Sequence, residues 1–512
     1  MEKRVEELLA KRLETRAGGG EAKLAKQRAQ GKMTARERIE ALIDEGTFQE
    51  IGLFRKNRTV TFGMDKAIMP ADGVVTGTGA VLGRPVHIAS QDFTVAGGSA
   101  GEIHSKKVVE MMESALTCGT PFVFINDSGG ARVQEGIDSL SGYAQVFYAN
   151  VLLSGAVPQI SIIAGPCAGG AAYSPALTDF VIQTRKAHMF ITGPSVIEQV
   201  TGEKVTQDGL GGADTHMAVS GVNHFVADND EQAILIAQKL LSFLPQNNTE
   251  DPPVMDPDPY VEYDLAMHDI VPVEGTKGYD VRAVIGRMVD HADFLEVQAG
   301  YAMNMVVGFA RINGKSIGIV ANQPMVMAGV LDINASDKAS RFVRFCNAFN
   351  IPIVTLVDVP GFLPGVAQEH GGIIRHGAKM LYAYAAATVP KITVVLRKAY
   401  GGAYIAMAAK DMGADQVFAW PTAEIAVMGA EGAASVVFRR EIAEAEDPAA
   451  RRAELVEEYR ETFSTPFVAA SRGLVDDIID PGDTRRKVAM ALEMLVAKRQ
   501  LRPAKKHGLG PV

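Results

Sequence analysis

Short apolar, β-branched runs alternate along the chain with glycine-rich turns and with longer amphipathic stretches. The runs at 121–127 and 351–358, "PFVFIND" and "IPIVTLVD", each end on an aspartate. The runs at 157–171 and 389–403, "VPQISIIAGPCAGGA" and "VPKITVVLRKAYGGA", each end in Gly-Gly-Ala. Apolar runs of this length between turn residues are typical of buried strands. Their alternation with helical stretches predicts an α/β fold.

A fixed offset relates the two halves of the chain. Moving the sequence by 231 residues places Lys107 on Lys338 and Asp127 on Asp358. The same shift pairs six further positions, namely Gly83 with Gly314, Ile88 with Ile319, Val95 with Val326, Gly98 with Gly329, Pro121 with Pro352 and Gly130 with Gly361. An offset of 232 then aligns the two Gly-Gly-Ala sequences. Chance matches would not hold one register over this length, so we predict two copies of one domain.

A proline-rich segment separates the two predicted copies. Residues 245–260, "PQNNTEDPPVMDPDPY", hold five prolines and four acidic residues without a periodic apolar pattern, which is typical of a linker. We therefore predict an N-terminal domain over 1–256 and a C-terminal domain over 257–512.

Thr34 and Glu37 form a capping-box pattern at the start of a helix. Asp447 is the expected N-cap of another helix, with Pro448 in its first turn.

Composition excludes several classes of protein. The formal charge of −9 argues against a nucleic-acid partner. Cys118, Cys167 and Cys346 lie far apart in the sequence, so neither a zinc ribbon nor a disulfide framework is expected. Residues 1–16 have no apolar leader core and predict a solvated helix. The uncharged stretch 151–178 contains three prolines and a Gly-Gly pair, which indicate a buried strand, a turn and a helix start. We expect a soluble, cytoplasmic protein that holds no metal.

Each Gly-Gly-Ala sequence places glycine between a predicted strand and a predicted helix. Glycine lets the backbone approach a ligand without a Cβ, and a helix start presents N–H groups without intrahelical acceptors. Such groups can form an oxyanion hole, which stabilises a carbonyl oxygen as it gains negative charge. Two equivalent turns would suit a reaction with two carbonyl partners. The alternative interpretation of each turn is close helix packing alone.

Several motifs resemble the biotin-dependent acyl-CoA carboxyltransferase family. The resemblance covers nearly the whole chain in the family's order, and its motifs are specific. It includes propionyl-CoA carboxylase β chains and methylmalonyl-CoA decarboxylase α chains, and it implies two crotonase-like ββα superhelical domains. The motifs include "KMTARERIEALID" (32–44), "NDSGGARVQEG" (126–136), "GPCAGGAAYSPALTDF" (165–180), "DVPGFLPG" (358–365) and "RKAYGGAYIAM" (397–407).

The resemblance implies a mechanism that needs no side-chain base. Carboxybiotin on a separate carrier protein releases CO2, the biotin enolate takes the α-proton of an acyl-CoA, and the acyl-CoA enolate attacks CO2. Gly169 and Gly170 are expected to hold the thioester oxygen. Gly402 and Ala403 are expected to hold the biotin ureido oxygen. Acyl-CoA is then the substrate, with propionyl-CoA or methylmalonyl-CoA favoured, and its binding region is expected around 300–333.

Four further residues are candidates for substrate binding. Arg132 could meet a CoA phosphate, although a structural ion pair explains it equally well. Ala171 and Tyr404 lie beside the turns, and the tyrosines next to the second turn could equally be packing residues. Ile405 follows that turn directly, so its side chain should lie near the reacting acyl group. The alternative for Ile405 is a core residue behind the helix. Family members acting on propionyl-CoA often have aspartate at this position, which puts the acyl chain length in question.

The resemblance also implies partners. The family forms homo-hexamers, as trimers of dimers, with each site between the first copy of one subunit and the second copy of another. The sequence contains no biotinylation motif and no ATP-binding glycine loop. The carrier protein, and either a biotin carboxylase or membrane decarboxylase subunits, would therefore be separate chains.

Several alternative functions remain open. The decarboxylase direction and an acetyl-CoA substrate lie within the family, whereas an enoyl-CoA hydratase or isomerase and a non-catalytic scaffold lie outside it. A peptidase-like pair of Ser174 and His216 lacks an evident aspartate partner. His376 is a candidate base that the implied mechanism does not require.

Overall fold

The computed structural model describes residues 1–259 and 262–511 and contains one eight-stranded sheet in each half of the chain. Contacts between Cα atoms divide the chain into two compact units, Met1–Glu250 and Asp251–Val512. The division falls inside the proline-rich segment 245–260. Both units are mixed α/β structures built on the same plan, in agreement with the predicted duplicated, crotonase-like fold.

In the first unit an antiparallel hairpin continues into parallel strands. The sheet order is β1-β2-β3-β4-β5-β6-β8, and β7 pairs with the end of β5. The strands are β1 (Gln49–Ile51), β2 (Val74–Val81), β3 (Arg84–Gln91), β4 (Phe122–Ser128), β5 (Gln159–Ala168), β6 (Phe180–Thr184), β7 (His188–Phe190) and β8 (Phe225–Ala227). The α-helices are α1 (Glu2–Arg16), α2 (Glu21–Ala29), α3 (Ala35–Leu42), α4 (Glu102–Cys118), α5 (Ile137–Leu153), α6 (Gly170–Leu177), α7 (Pro194–Thr201), α8 (Gln207–Gly211), α9 (Ala213–Thr215) and α10 (Asp230–Phe243).

The second unit repeats this plan. Its sheet order is β16-β14-β13-β12-β11-β10-β9, and β15 pairs with the end of β13. The strands are β9 (Leu295–Val297), β10 (Met305–Ile312), β11 (Lys315–Asn322), β12 (Ile353–Val359), β13 (Lys391–Tyr400), β14 (Gln416–Ala419), β15 (Glu424–Ala426) and β16 (Asp477–Ile478). The α-helices are α11 (Val281–Met288), α12 (Ile333–Ala348), α13 (Val366–Gly371), α14 (Ile373–Ala386), α15 (Gly401–Ala406), α16 (Ala430–Val437), α17 (Arg439–Glu444), α18 (Pro448–Tyr459), α19 (Pro466–Ser471) and α20 (Thr484–Met494).

The hairpins that open the two sheets share one turn geometry. Leu82 and Gly83 connect β2 to β3 with φ angles of 52° and 74°. Asn313 and Gly314 connect β10 to β11 with φ angles of 51° and 76°. Two positive φ values in a two-residue loop match the twist of the flanking strands. The same turn at an offset of 231 is direct structural evidence for the duplication.

A buried lysine occupies the same position in both units. Lys107 of α4 donates from Nζ to the carbonyl oxygen of Ala71 at 2.8 Å. Lys338 of α12 donates to the carbonyl oxygens of Gln298 and Tyr301 at 2.9 and 2.7 Å. In each unit the ammonium group therefore ties a long helix to the loop that precedes the hairpin. Burial lowers the pKa of both lysines to about 7.

Several predicted local features are confirmed. Thr34 and Glu37 make both hydrogen bonds of the capping box, and Asp447 caps α18 with Pro448 in the first turn. The N-terminal helix α1 buries none of its residues. The uncharged stretch 151–178 forms the end of α5, the buried strand β5 and all of α6. Within the described residues no helix is both long and apolar enough to cross a bilayer.

Candidate active site

The first glycine turn joins the end of β5 to the start of α6. Gly169 adopts φ 60° and ψ −125°, a conformation that favours glycine. Its N–H donates to the carbonyl oxygen of Phe190 in β7 at 3.1 Å. The N–H of Gly169 thus pairs along the sheet edge in this structure, so Gly170 is the better placed of the two predicted donors at this turn. Gly170 and Ala171 begin the helix, where N–H groups have no intrahelical acceptor.

The second glycine turn joins the end of β13 to the start of α15. Gly401 has φ 58° and occupies the place of Gly169. Gly402 and Ala403 then follow in the first turn of α15, as Gly170 and Ala171 do in α6. The equivalent residues at the two helix starts are thus Gly170 with Ala171 and Gly402 with Ala403. The repeat offset of 232 already contained this register.

The backbone at the two turns differs in how much room it leaves. A Cβ added at Gly170 would lie 3.1 Å from the ring of Tyr143 in α5. A Cβ added at Gly402 would meet, among the described residues, only the ring of Phe362 at 3.9 Å. The Ala171 side chain is buried in the core cluster that contains Tyr143. Ala171 can therefore act on a ligand only through its backbone.

Arg132 is buried in an ion-pair network. Its Nη1 lies 2.6 Å from Asp72 Oδ1 and 2.7 Å from Glu135 Oε1, and its side chain is 1% exposed. Its Nη2 donates to the carbonyl oxygen of Ser99 at 2.8 Å. The prediction that Arg132 binds a CoA phosphate is not supported, because both nitrogens of the guanidinium fork are used inside the unit. The structural ion pair is the interpretation that the geometry favours.

His104 belongs to the same buried cluster. Its Nδ1 contacts the carbonyl oxygen of Asp72 at 2.9 Å, and its Nε2 lies 3.2 Å from Gln91 Nε2. These contacts place the proton on Nδ1 and leave Nε2 as the acceptor. Burial, with the nearby charge of Arg132, lowers the pKa of His104 to about 3. The imidazole is therefore neutral, and its role is to hold α4 against the loop at Asp72.

The remaining candidates beside the second turn differ in exposure. Ile405 is 45% exposed within its unit, so it is not a core residue there. The hydroxyl oxygen of Tyr404 is buried and, within the described part of the chain, has no hydrogen-bond partner. Burial raises the pKa of Tyr404 to about 12, so the group stays a neutral phenol.

The other titratable candidates are used in local contacts. His376 Nδ1 lies 2.8 Å from Asp337 Oδ2. Ser174 donates to Asn150 Oδ1 at 2.9 Å, whereas His216 contacts Ser220 and the backbone of Met189. Ser174 and His216 therefore bond to different partners and do not form a peptidase-like pair. No group of three or more metal-ligating side chains is found in residues 1–259 and 262–511.

Two buried aspartates near the ends of equivalent strands form ion pairs that the sequence did not predict. Asp127, in β4, lies 2.9 Å from Arg38 of α3 and 2.7 Å from Lys32. Asp358, in β12, lies 3.0 Å from Arg397 of β13. The sequence offset pairs the aspartates, but their cationic partners come from different elements in the two units. No sequence signal could have matched those partners.

Comparisons with known proteins define the class of enzyme. A family model described as "Carboxyl transferase domain" matches residues 26–509. The chain is 69% identical over 511 residues to the methylmalonyl-CoA carboxyltransferase 12S subunit of Propionibacterium freudenreichii subsp. shermanii, covering 100% of this chain and 98% of that one. It is 55% identical over 515 residues to the methylmalonyl-CoA decarboxylase subunit alpha of Veillonella parvula, covering 100% and 99%.

A solved structure agrees with these sequences. The crystal structure of transcarboxylase 12S, described as a hexamer assembly with methylmalonyl-coenzyme A and methylmalonic acid bound, matches with a TM-score of 0.99 and 69% identity. The match covers 100% of this chain and 98% of that chain. The chain therefore belongs to the carboxyl transferase family. Within that family it is a biotin-dependent acyl-CoA carboxyltransferase, as its motifs predict.

Proposed function

We propose that this chain transfers a carboxyl group between carboxybiotin, held on a separate carrier protein, and the α-carbon of propionyl-CoA, with methylmalonyl-CoA as the carboxylated partner. The observation that carries the proposal is the pair of equivalent turns, each with a strand, a left-handed glycine and a helix start. Relatives named for methylmalonyl-CoA support this choice of acyl group.

The first turn is proposed to bind the thioester. The N–H groups of Gly170 and Ala171 would donate to the thioester oxygen as proton loss from the α-carbon turns it into an enolate oxygen. Backbone donors suit this task because they are fixed by the fold and need no reorganisation as charge develops. The start of a helix adds a favourable dipole for the same charge.

The second turn is proposed to bind the ureido oxygen of biotin through Gly402 and Ala403. Carboxybiotin, when bound, supplies the carboxyl group. The residues present fit such a group, since among the described residues only Phe362 comes within 4 Å of a Cβ added at Gly402, and the helix start offers two donors. Phe362 lines that space and provides an apolar surface.

The proposed assembly is a homo-hexamer, a trimer of dimers, in which the first turn of one subunit faces the second turn of another. The hexamer described for the 12S relative supports this arrangement. The carrier protein would be one partner. A biotin carboxylase, or membrane decarboxylase subunits running the transfer in reverse, would be the other.

Replacing Gly402 with valine tests the second turn. The φ of Gly402 is not in the left-handed region, and its added Cβ meets only Phe362 among the residues described, so Gly402→Val should fold and assemble. Valine keeps the backbone N–H, but its side chain would occupy the ligand space and hold the ureido oxygen away from the donors. We expect turnover to fall about 10²–10³-fold, as it does when one oxyanion donor is removed. The assay is carboxylation of free biotin by methylmalonyl-CoA.

Gly286 provides the matched control. It lies in α11, and within residues 1–259 and 262–511 a Cβ added there would meet only Ala292 at 3.9 Å. Gly286→Val carries the same helical cost for a β-branched residue at a position outside both glycine turns. We expect the control to keep wild-type turnover. Near-normal turnover of a folded Gly402→Val hexamer would refute the proposed biotin site. Hydration of an enoyl-CoA without biotin would instead support the hydratase alternative.

A further inference from the structure

Tyr400 is the residue that connects β13 to the second glycine turn. It is the last residue of the strand and the N-cap residue of α15, and it is 8% exposed. Its hydroxyl group donates to Glu424 Oε2, at the start of β15. Backbone pairing already places β15 beside β13, with Tyr400 opposite Ala426. The side-chain bond therefore adds a second attachment at the point where the turn begins.

Glu424 extends this attachment to the helices that follow β15. Its other carboxylate oxygen lies 3.6 Å from Arg460 Nε. Arg460 also pairs with Glu431 in α16 at 3.2 Å and with Glu457 in α18. Arg460 begins a π-helical turn, Arg460–Ser464, a local geometry that is frequent at functional sites. A continuous chain of polar contacts thus runs from α16 and α18 to the second turn.

In the part of the chain that the structure describes, the first turn has no such attachment. The offset of 232 places Ala168 at the position of Tyr400. The strand pairing places His188 at the position of Glu424, since His188 faces Pro166 as Glu424 faces Lys398. Alanine has no side-chain donor, and the His188 side chain instead contacts Asp208 at 2.7 Å. The two turns share one backbone geometry, but, in the described chain, only the second is tied by a side-chain hydrogen bond to the strand that pairs beside it.

We propose that Tyr400 is a positioning residue that couples the segment 430–464 to the second turn through Glu424. The bond fixes the side chain of the N-cap residue, and thereby the direction in which the first N–H groups of α15 point. This inference rests on the proposed function, in which those N–H groups bind biotin. It predicts that the helices after β15 set the activity of the second turn and leave the first turn unaffected.

Two variants separate the parts of the network. Tyr400→Phe removes the donor and leaves the ring packed, whereas Glu424→Gln keeps an acceptor for Tyr400 but loses the charge that faces Arg460. Tyr384→Phe is the matched control, because it removes another buried tyrosine hydroxyl of the same unit, bonded to Thr355 Oγ1 at 3.0 Å. Amide hydrogen exchange and steady-state kinetics are measured on the assembled enzyme for all three variants.

In Tyr400→Phe we expect the amides of residues 404–407 and of 456–464 to exchange about tenfold faster, because a hydrogen bond to a charged group is lost. The amides of 173–178, after the first turn, should keep their rates. The kcat/KM for free biotin should fall about tenfold, while the KM for methylmalonyl-CoA stays unchanged. Glu424→Gln should show a smaller effect at 404–407 and the full effect at 456–464. Tyr384→Phe should change neither segment.

The outcomes distinguish this proposal from the assignment of the turns. Unchanged exchange at 404–407 in Tyr400→Phe would overturn the coupling. Equal acceleration at 173–178 would also overturn it, since the variant would then loosen the protein generally. Coupled exchange with a loss confined to methylmalonyl-CoA would support the positioning role and refute the biotin assignment of the second turn.

Discussion

Removing Arg132 tests whether the buried network supports the fold or binds the substrate. Arg132→Met keeps a long apolar side chain and removes the guanidinium. The change leaves the carboxylates of Asp72 and Glu135 buried without their cation, and both are almost inaccessible to solvent. Each also accepts a backbone N–H of α4, from His104 and Glu102 respectively. The start of that helix should therefore loosen with the network.

The expected loss follows from the burial of these groups. Removing one partner of a buried pair costs about 3–5 kcal/mol, because an uncompensated charge remains. For a unit of this size, 1 kcal/mol corresponds to about 2–4 °C in the thermal midpoint, so we expect a decrease of about 6–20 °C. Burial raises the pKa of Asp72, and Arg132 opposes that shift. The pKa should rise further in the variant, so its deficit should shrink as the pH falls and Asp72 takes up a proton.

The assay combines calorimetry with kinetics at one protein concentration. Midpoints of wild type and Arg132→Met are compared at a mildly acidic and a mildly alkaline pH, because protonation of Asp72 should reduce the variant's deficit on the acidic side. The KM for methylmalonyl-CoA is measured below the variant's midpoint. A normal midpoint together with a KM raised tenfold or more would refute the structural interpretation. It would return Arg132 to the role of a CoA phosphate ligand.

Two further predictions concern single residues. Ile405→Asp should change the ratio of kcat/KM for acetyl-CoA to kcat/KM for propionyl-CoA by about tenfold or more. The reason is that a methylene in an apolar pocket is worth about 1–3 kcal/mol. A ratio within twofold of wild type would place the acyl pocket elsewhere. His104→Gln should reduce the acid sensitivity of the fold, because a histidine whose folded pKa is depressed to about 3 contributes stability that is lost as the pH falls below its unfolded value. The stability lost in this way is about 2 kcal/mol at about pH 5. If the thermal midpoint of the variant falls with pH as steeply as that of wild type, the burial of His104 does not cause the acid sensitivity of the fold.

The sequence alone determined the duplication, the order of strands and helices, and the family. The reason is that these features are local or periodic. Apolar runs, helix caps such as Thr34 with Glu37, and glycine before a helix each act on residues close in sequence. The repeat offset compares the chain with itself and needs no coordinates. It also pairs Gly170 with Gly402, which begin equivalent helices in the structure.

Tertiary structure decided which groups are free to act. Gly169 looked like a donor, and only the position of β7 consumes its N–H. Arg132 looked like an anion ligand. Glu135 is close to it in sequence, but only the fold brings Asp72, 60 residues earlier, to the same guanidinium. The link from Tyr400 to Arg460 likewise spans distant elements. Side chains that are distant in sequence meet because the strands pair and the helices pack. The pattern of residues along one segment does not specify which distant residue each side chain will contact.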